Sequence, residues 1–215
     1  MSVLEFDSQW FGCRIGRFDG DPAEADQWGK DNSVACLYTL LPLSQISKVH
    51  EAAARGFRLV DVRVEFVART GLLINSTRYA NPDDREAIKE MAFRSFQKTR
   101  FHNDRLFDRD RVNAMYANWA LTSEGETLVV DADNARAGFV VVGETHLELI
   151  AVDPAYRGQG YGGMLARAAL GHAHGRGRRE LRVVTQGGNH AAQRTFQSSG
   201  FELVDTSLWL HKWYV

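Results

Sequence analysis

Apolar positions along the chain follow two rhythms, and their order predicts most of the elements. In the first third, Gly12–Phe18 alternates enough to make a strand. Asp21-Pro22-Ala23-Glu24 opens a helix with proline in its first turn. Val34–Leu41 is a compact apolar run, read as a strand. Ser44 is then expected to cap a helix through Ile46, Val49 and Ala53 that ends at Gly56. A strand from Phe57 to Val67 follows, with Leu59, Val62, Val64 and Phe66 among its apolar members.

Beyond a polar stretch from Gly71 to Pro82, Asp83-Asp84 opens a helix carrying Ala87, Ile88, Met91, Ala92, Phe93 and Phe96. Thr99–Arg105 reads as a basic-aromatic loop, and a second helix runs from about Asp110 through Val112, Met115, Tyr116 and Trp119. Thr127–Val130 and Ala137–Val142 are expected to pair across an Asp133-Asn134 turn. A buried strand at Leu147–Val152 leads into a glycine-rich turn and a helix over 160–175. Strand Leu181–Thr185, helix 189–198 and strand Phe201–Leu210 complete the series.

From residue 80 the order is therefore α-α-β-β-β-α-β-α-β, which predicts an α/β fold with a mixed, mostly antiparallel sheet and helices on both faces. A short repeat adds to this picture. Gly56-Phe57-Arg58-Leu59-Val60-Asp61 matches Gly200-Phe201-Glu202-Leu203-Val204-Asp205, each with a helix before it and a long strand after it. The N-terminal third is expected to mimic the last third, with residues 1–75 forming a smaller α/β part and 76–215 the larger one.

Composition narrows the class. Hydrophobic residues make up 44% of the 215 and charged residues 25%, with a net charge of −1. That balance suits a globular domain and gives no electrostatic reason for a nucleic-acid partner. Cys13 and Cys36 stand far apart, in no metal-ligand spacing, so no metal is expected and a reduced cytoplasmic setting fits. With no run of eighteen apolar residues, no membrane partner is expected.

The chemistry concentrates at Leu147–Met164, where Asp153-Pro154 stops the strand and Arg157-Gly158-Gln159-Gly160-Tyr161-Gly162 turns into the helix. Strand, glycine-rich turn and helix N-terminus make an anion site, since amide N–H groups and the helix dipole converge there. A Walker-type loop needs a Gly-Lys-Ser/Thr ending, and no lysine follows. A dinucleotide fingerprint needs Gly-x-Gly-x-x-Gly directly after the strand, and the spacing here differs. Arg-x-x-Gly-x-Gly after Val-Asp-Pro instead resembles the acyl-CoA pyrophosphate loop of the GCN5-related N-acetyltransferase (GNAT) family, whose element order also matches.

The resemblance implies acetyl-CoA as co-substrate and a small-molecule amine as acceptor, joined by direct attack in a ternary complex. It assigns CoA to the strand residues Ile150, Ala151 and Val152, and to the loop residues Arg157, Gly158, Gln159, Gly160, Tyr161, Gly162 and Gly163. Asn189, Ala192 and Phe196 extend that surface, Asn189 meeting the pantetheine arm; asparagine also suits a helix N-cap there. Arg176, Arg178 and Arg179 are left out, because cations at a helix C-terminus need no ligand to explain them. His146, Glu148 and Ile150 are expected on one strand face, with His146 or Glu148 as the general base. Apolar neighbours disfavour a charged carboxylate, and imidazoles titrate near neutrality.

One position departs from the family pattern. Asn-x-x-Ala-x-x-x-Tyr supplies a tyrosine that protonates the leaving thiolate, and this chain has Phe196. A thiol of pKa about 8.5 leaving at pH 7 needs roughly 2 kcal/mol for its proton, which amides or water can supply. Short motifs at both ends, among them Trp10-Phe11-Gly12 and Trp209-Leu210, resemble the branch of the family that acetylates dTDP-linked deoxyamino sugars. That likeness makes Arg100 and Phe101 acceptor-binding residues. The alternatives are a non-catalytic acyl-CoA sensor, motivated by Phe196, and an acyltransferase acting on another natural-product amine. A homodimer is compatible with all of these.

Overall fold

The computed structural model describes residues 1–72 and 77–214. Asn75 and Ser76, part of the expected boundary, lie outside the described residues. The chain starts with β1 (Ser2–Val3), α1 (Glu5–Phe11) and β2 (Ile15–Arg17). These are followed by α2 (Pro22–Asp31), β3 (Cys36–Pro42), α3 (Ile46–Ala54) and β4 (Arg58–Arg69). Next come β5 (Arg78–Tyr79), α4 (Arg85–Ser95), the one-turn α5 (Arg100–Asn103) and α6 (Arg109–Thr122). The last stretch holds β6 (Glu126–Ala132), β7 (Ala135–Val142), β8 (His146–Val152), α7 (Tyr161–Gly175), β9 (Glu180–Gln186), α8 (His190–Ser198) and β10 (Glu202–Trp213).

Most boundaries follow local rules. The Asp21 carboxylate caps α2, accepting from the Ala23 N–H at 2.8 Å and the Glu24 N–H at 3.3 Å. Asp133 and Asn134 take φ of 50° and 62°, the two left-handed residues of a tight hairpin between β6 and β7. Phe6, Trp10 and Phe11 ride on a helix, α1. Two expectations need correction. Ser44 lies inside a 3₁₀ turn, Leu43–Gln45, and makes no cap for α3. The segment read as a loop contains α5, which buries Phe101. Asp83 and Asp84 lie in a 3₁₀ turn, Pro82–Asp84, that leads into α4 with Asp84 at its N-cap, and the buried Asp84 carboxylate accepts from Arg78 at 2.7 and 2.9 Å and from Arg136.

The ten strands of the described residues form one sheet, in the order β1-β2-β3-β10-β4-β9-β8-β7-β6-β5. It is mixed and mostly antiparallel, the β2–β3 and β8–β9 pairs being parallel. One face carries α2, α3, α7 and α8 over two apolar clusters, around Leu37, Phe57 and Leu210 and around Phe66, Leu165 and Phe201. The other face carries α1, α4, α5 and α6 over a third, around Tyr38, Met91, Phe101 and Phe139.

The N-terminal part is half of a unit seen complete further on. β3, α3 and β4 recur as β9, α8 and β10 with every boundary displaced by 144 residues, as Gly56 is from Gly200. The two copies exchange their last strands. β4 leaves β3 to pair with β9 (Arg63 opposite Gln186), and β10 leaves β9 to pair with β3 (Ser207 opposite Pro42). These registers are equivalent under the repeat, and β4 and β10 pair with each other through Arg63 and Ser207. An approximate two-fold axis therefore runs through the middle of the sheet.

Candidate active site

The two halves differ first at the turn from the first parallel strand into its helix. In the first half Phe18–Asp21 joins β2 to α2, and a carboxylate closes the helix N-terminus. In the second half Asp153 accepts from the Ala155 N–H at 2.9 Å and ends β8 in a 3₁₀ turn, Pro154–Tyr156. The Arg157 Nε donates back to the Val152 carbonyl at 3.1 Å, which folds the loop over the strand end. Gly158 and Gly160 then take φ of 78° and 89°, and a Cβ at either would meet nothing within 4 Å. Among the described residues no side chain caps α7, so its first amides are left without a side-chain partner at the positive end of a fifteen-residue helix. Residues Arg157 to Gly163 thus form an uncapped helix start behind two open glycines, a geometry that suits an anion.

The parallel strands beside this loop also differ between the halves. β2 pairs with β3 at all three of its residues, and Phe18 extends the ladder to Tyr38 at 3.0 Å. β8 pairs with β9 only at His146–Arg182 and Leu147–Val183, then diverges from it. The result is a wedge-shaped gap between Leu149–Val152 and Val184–Gln186, open towards the glycine loop. Unpaired strand edge gives a long polar arm backbone groups to bond. Ile150 and Val152 pack towards α7, and Ala151 is buried on the opposite face.

Asn189 stands at the far lip of the gap as the N-cap of α8. Its Oδ1 accepts from the Ala192 N–H at 3.3 Å and its Nδ2 donates to the Thr185 hydroxyl at 3.2 Å. Phe196 is 1% exposed and packs against Phe66 and Phe201, at ring separations of 6.1 and 5.7 Å. It carries no donor towards the gap. Arg176 and Arg178 pair with Glu126 and Glu144 at the other end of α7, roughly 22 Å from the loop by helix rise.

A β-bulge changes the reading of β8. Val141 pairs with Leu149 and Val142 with Leu147, so Glu148 is the extra residue. Alternation flips there: Leu147 packs on the α7 side with Ile150, while Leu149 faces the other way. His146, Glu148 and Ile150 therefore do not share one face. Glu148 accepts from the Ser123 hydroxyl, at the C-terminus of α6, at 2.6 Å and lies against Gly143. His146 Nδ1 bonds the Thr145 hydroxyl at 2.8 Å.

The face opposite α7 and α8 holds a polar cluster that sequence reasoning largely missed. Arg100 lies over the rings of Tyr38, Phe101 and Trp209, at 4.2, 4.2 and 4.3 Å, and 3.9 Å from Asp7. Its Nη1 donates to His211 Nε2 at 3.1 Å, and His211 Nδ1 donates to Asp104 at 2.8 Å. Burial holds His211 neutral, its pKa pushed down to about 4. Cys36, Asp104 and His211 place possible metal-ligand atoms within 4.8 Å of one another, but both nitrogens of His211 are already engaged.

Along β4 the residues facing this side are Asp61, Arg63 and Glu65. Burial drives the Asp61 carboxyl up to about 6, against the backbone N–H of Val62 and the charge of Arg100. Glu65 is only 13% exposed; burial opposes its charge, but hydrogen bonds from Arg182 (3.0 Å) and Arg63 (2.8 Å) hold it below the carboxylate range. The signal was present in the sequence: Asp61, Arg63 and Glu65 alternate with Val60, Val62, Val64 and Phe66 in an otherwise apolar strand. A cleft of about 520 Å³ beneath residues 102 and 104–109 opens on the same side of the molecule, and no residue of β8 or β9 lines it.

Comparison with known proteins agrees with this geometry. Residues 86–201 match the model of the acetyltransferase (GNAT) family, more than half of the chain, and the chain belongs to that family. It is an N-acetyltransferase by class, and members of the family generally take their acyl group from acetyl-CoA. The chain is 29% identical over 167 residues to the dTDP-fucosamine acetyltransferase of Escherichia coli O6:H1, covering 73% of this chain and 72% of that protein. It is 27% identical over 140 residues to the spore coat polysaccharide biosynthesis protein SpsD of Bacillus subtilis, covering 61% of this chain and 48% of that one. A GCN5-related N-acetyltransferase from Sphaerobacter thermophilus superposes with a TM-score of 0.62 at 16% identity, over 87% of this chain and 65% of that one, a likeness of fold. No helix of the described residues is long and apolar enough to cross a membrane.

Proposed function

We propose that the protein transfers an acetyl group from acetyl-CoA to the amine of a small polar molecule, a nucleotide-linked amino sugar being the favoured acceptor. The observation that carries the donor side is the contrast between the two halves. One helix N-terminus is filled by Asp21; its counterpart is uncapped, glycine-lined and beside a splayed strand pair. A diphosphate fits the second and is excluded from the first by charge and by space. The acceptor reading rests on the dTDP-fucosamine acetyltransferase relative and on the polar face around Arg100.

In this reading Arg157 to Gly163 hold the pyrophosphate, Ile150, Val152 and Asn189 meet the pantetheine arm, and the thioester lies within the gap. The amine attacks from the face of α5 and α6, in a ternary complex. Glu148 and His146 stand at the closed end of the gap, where the bulge brings Glu148 against Ser123. With Phe196 in place of a tyrosine, the thiolate takes its proton from water or from the amine itself. The test is thiol release from acetyl-CoA with and without a panel of dTDP-linked amino sugars. Release with one sugar supports the reading. Acetyl-CoA binding by calorimetry with no release over a broad amine panel favours a sensor, and no binding at millimolar concentration removes both.

A further inference from the structure

We infer that Asp61, on strand β4 of the N-terminal half, takes the proton from the acceptor amine. This inference rests on the acetyltransferase reading above and adds to it the group that does the acid–base work.

The topology brings Asp61 to the gap from outside the segment that matches the family. β4 lies directly beside β9, the far wall of the gap, with Arg63 opposite Gln186. The Gly187 N–H donates to the Val62 carbonyl at 2.6 Å, so Asp61 follows at the level of Gly188 and the Asn189 turn. A Cβ at Gly188 would meet nothing within 4 Å, so the space beside it is open. β4 sends Val64, Phe66 and Ala68 to the α7 side. By the two-residue period Asp61 points to the other, the side that carries Arg100 and Tyr116.

The surroundings suit a base. Arg100 of α5 faces the carboxylate through its charge and its backbone N–H, and Tyr116 of α6 stands near enough for the two to influence each other. Arg63 and Glu65 on the same strand are tied to each other and to Arg182 and Asp205, and Asp7 of α1 shares Arg100. Asp61 has no salt-bridge partner among the described residues, whereas Glu148 is held by Ser123. Burial raises Asp61 towards the pH at which a base is half-charged, while Arg100 keeps it from staying neutral.

The proton balance is simple. An ammonium gives one proton to an Asp61 oxygen, directly or through water, and the freed amine nitrogen attacks the thioester carbon. The C–S bond breaks, the second N–H proton goes to the thiolate, and Asp61 returns its proton to solvent.

The experiment compares Asp61→Asn with Glu148→Gln and the unaltered protein in the thiol-release assay from pH 5 to 9. Acetyl-CoA affinity by calorimetry and thermal melting are measured alongside, to separate lost chemistry from lost fold. The expected result is a fall in kcat of about 10²- to 10⁴-fold for Asp61→Asn, with acetyl-CoA affinity unchanged within twofold. The acidic limb of the unaltered protein's kcat profile, near pH 6, disappears in that variant. A merely structural role would lower kcat without removing the limb. Asp61→Asn turning over within threefold of the unaltered protein, or keeping its acidic limb, overturns the inference and leaves the acetyltransferase reading standing. No thiol release from the unaltered protein with any amine overturns both. If Asp61→Asn melts too low to assay, Asp61→Glu decides: retained activity with a shifted limb supports a base, and an unshifted limb overturns it.

Discussion

At the scale of single residues, the buried polar groups behave as linked sets. His211 shows this well. Its imidazole donates to Asp104, accepts from Arg100 and stacks on Tyr38 at 4.4 Å, all inside the protein. Its folded pKa of about 4 lies below the ordinary histidine value near 6.5. Between those two values the unfolded chain binds more protons than the folded one, so stability falls as pH drops. From pH 7 to 4.5 this group should cost the native state about 2–3 kcal/mol. Asp104 is shifted down too, because its bonds from His211 and Trp213 outweigh the burial that opposes its charge, so its contribution is lost only at more acid pH. Urea midpoints at pH 7 and 4.5 provide the measurement. His211→Gln should be less stable than the unaltered protein at pH 7 and should lose clearly less on acidification. Equal losses in both would show that His211 is not the titrating group.

At the scale of elements, the glycine loop and helix α7 were legible because their signal is local. A strand of apolar residues, a proline stop and three glycines define them without any distant contact. Gly160 supplies the sharpest check, since it combines a left-handed backbone with a surface that stays open. Gly160→Ala puts a Cβ into the cradle and forces an L-residue to φ near 89°, at a cost of about 1–2 kcal/mol. Acetyl-CoA binding by calorimetry should weaken tenfold or more, with a modest loss in melting temperature. Affinity within twofold of the unaltered protein would place the pyrophosphate elsewhere. The bulge at Glu148 was not legible, because it depends on the register between β7 and β8, and a period of two assumes that register is unbroken. The polar face was hidden for a related reason: Asp61, Arg63, Arg100, Arg182 and His211 come from four elements and meet only after the sheet is assembled. Gly56-Phe57 against Gly200-Phe201 did signal the repeat, but a match at five of six positions says nothing about which strand each copy pairs with.

For the molecule as a whole, that pairing is what makes the two halves interdependent. Each half has a β-α-β unit whose last strand completes the other half's sheet, and β4 sits between β9 and β10 as if it belonged to the C-terminal part. Residues 76–215 alone would leave β10 with neither of its neighbours, β3 and β4, and β9 with one long edge bare. Val64, Phe66 and Ala68 of β4 would also leave the cluster that supports α7 and α8. Losing three buried apolar side chains costs several kcal/mol at about 1.5–3 kcal/mol for a large one, comparable with the whole stability of a domain. The segment 76–215 expressed by itself should therefore show no cooperative unfolding and no acetyl-CoA binding, although it contains the entire glycine loop and Asn189. Co-expression with residues 1–75 should restore both, since the missing strand can be supplied in trans across the same ladders. A cooperative melt of 76–215 alone, with acetyl-CoA affinity near that of the intact chain, would mean that β4 is an accessory and that the sheet can close without it. In that case the N-terminal half would act on the acceptor side only, and the gap between β8 and β9 would owe its shape to the C-terminal elements themselves.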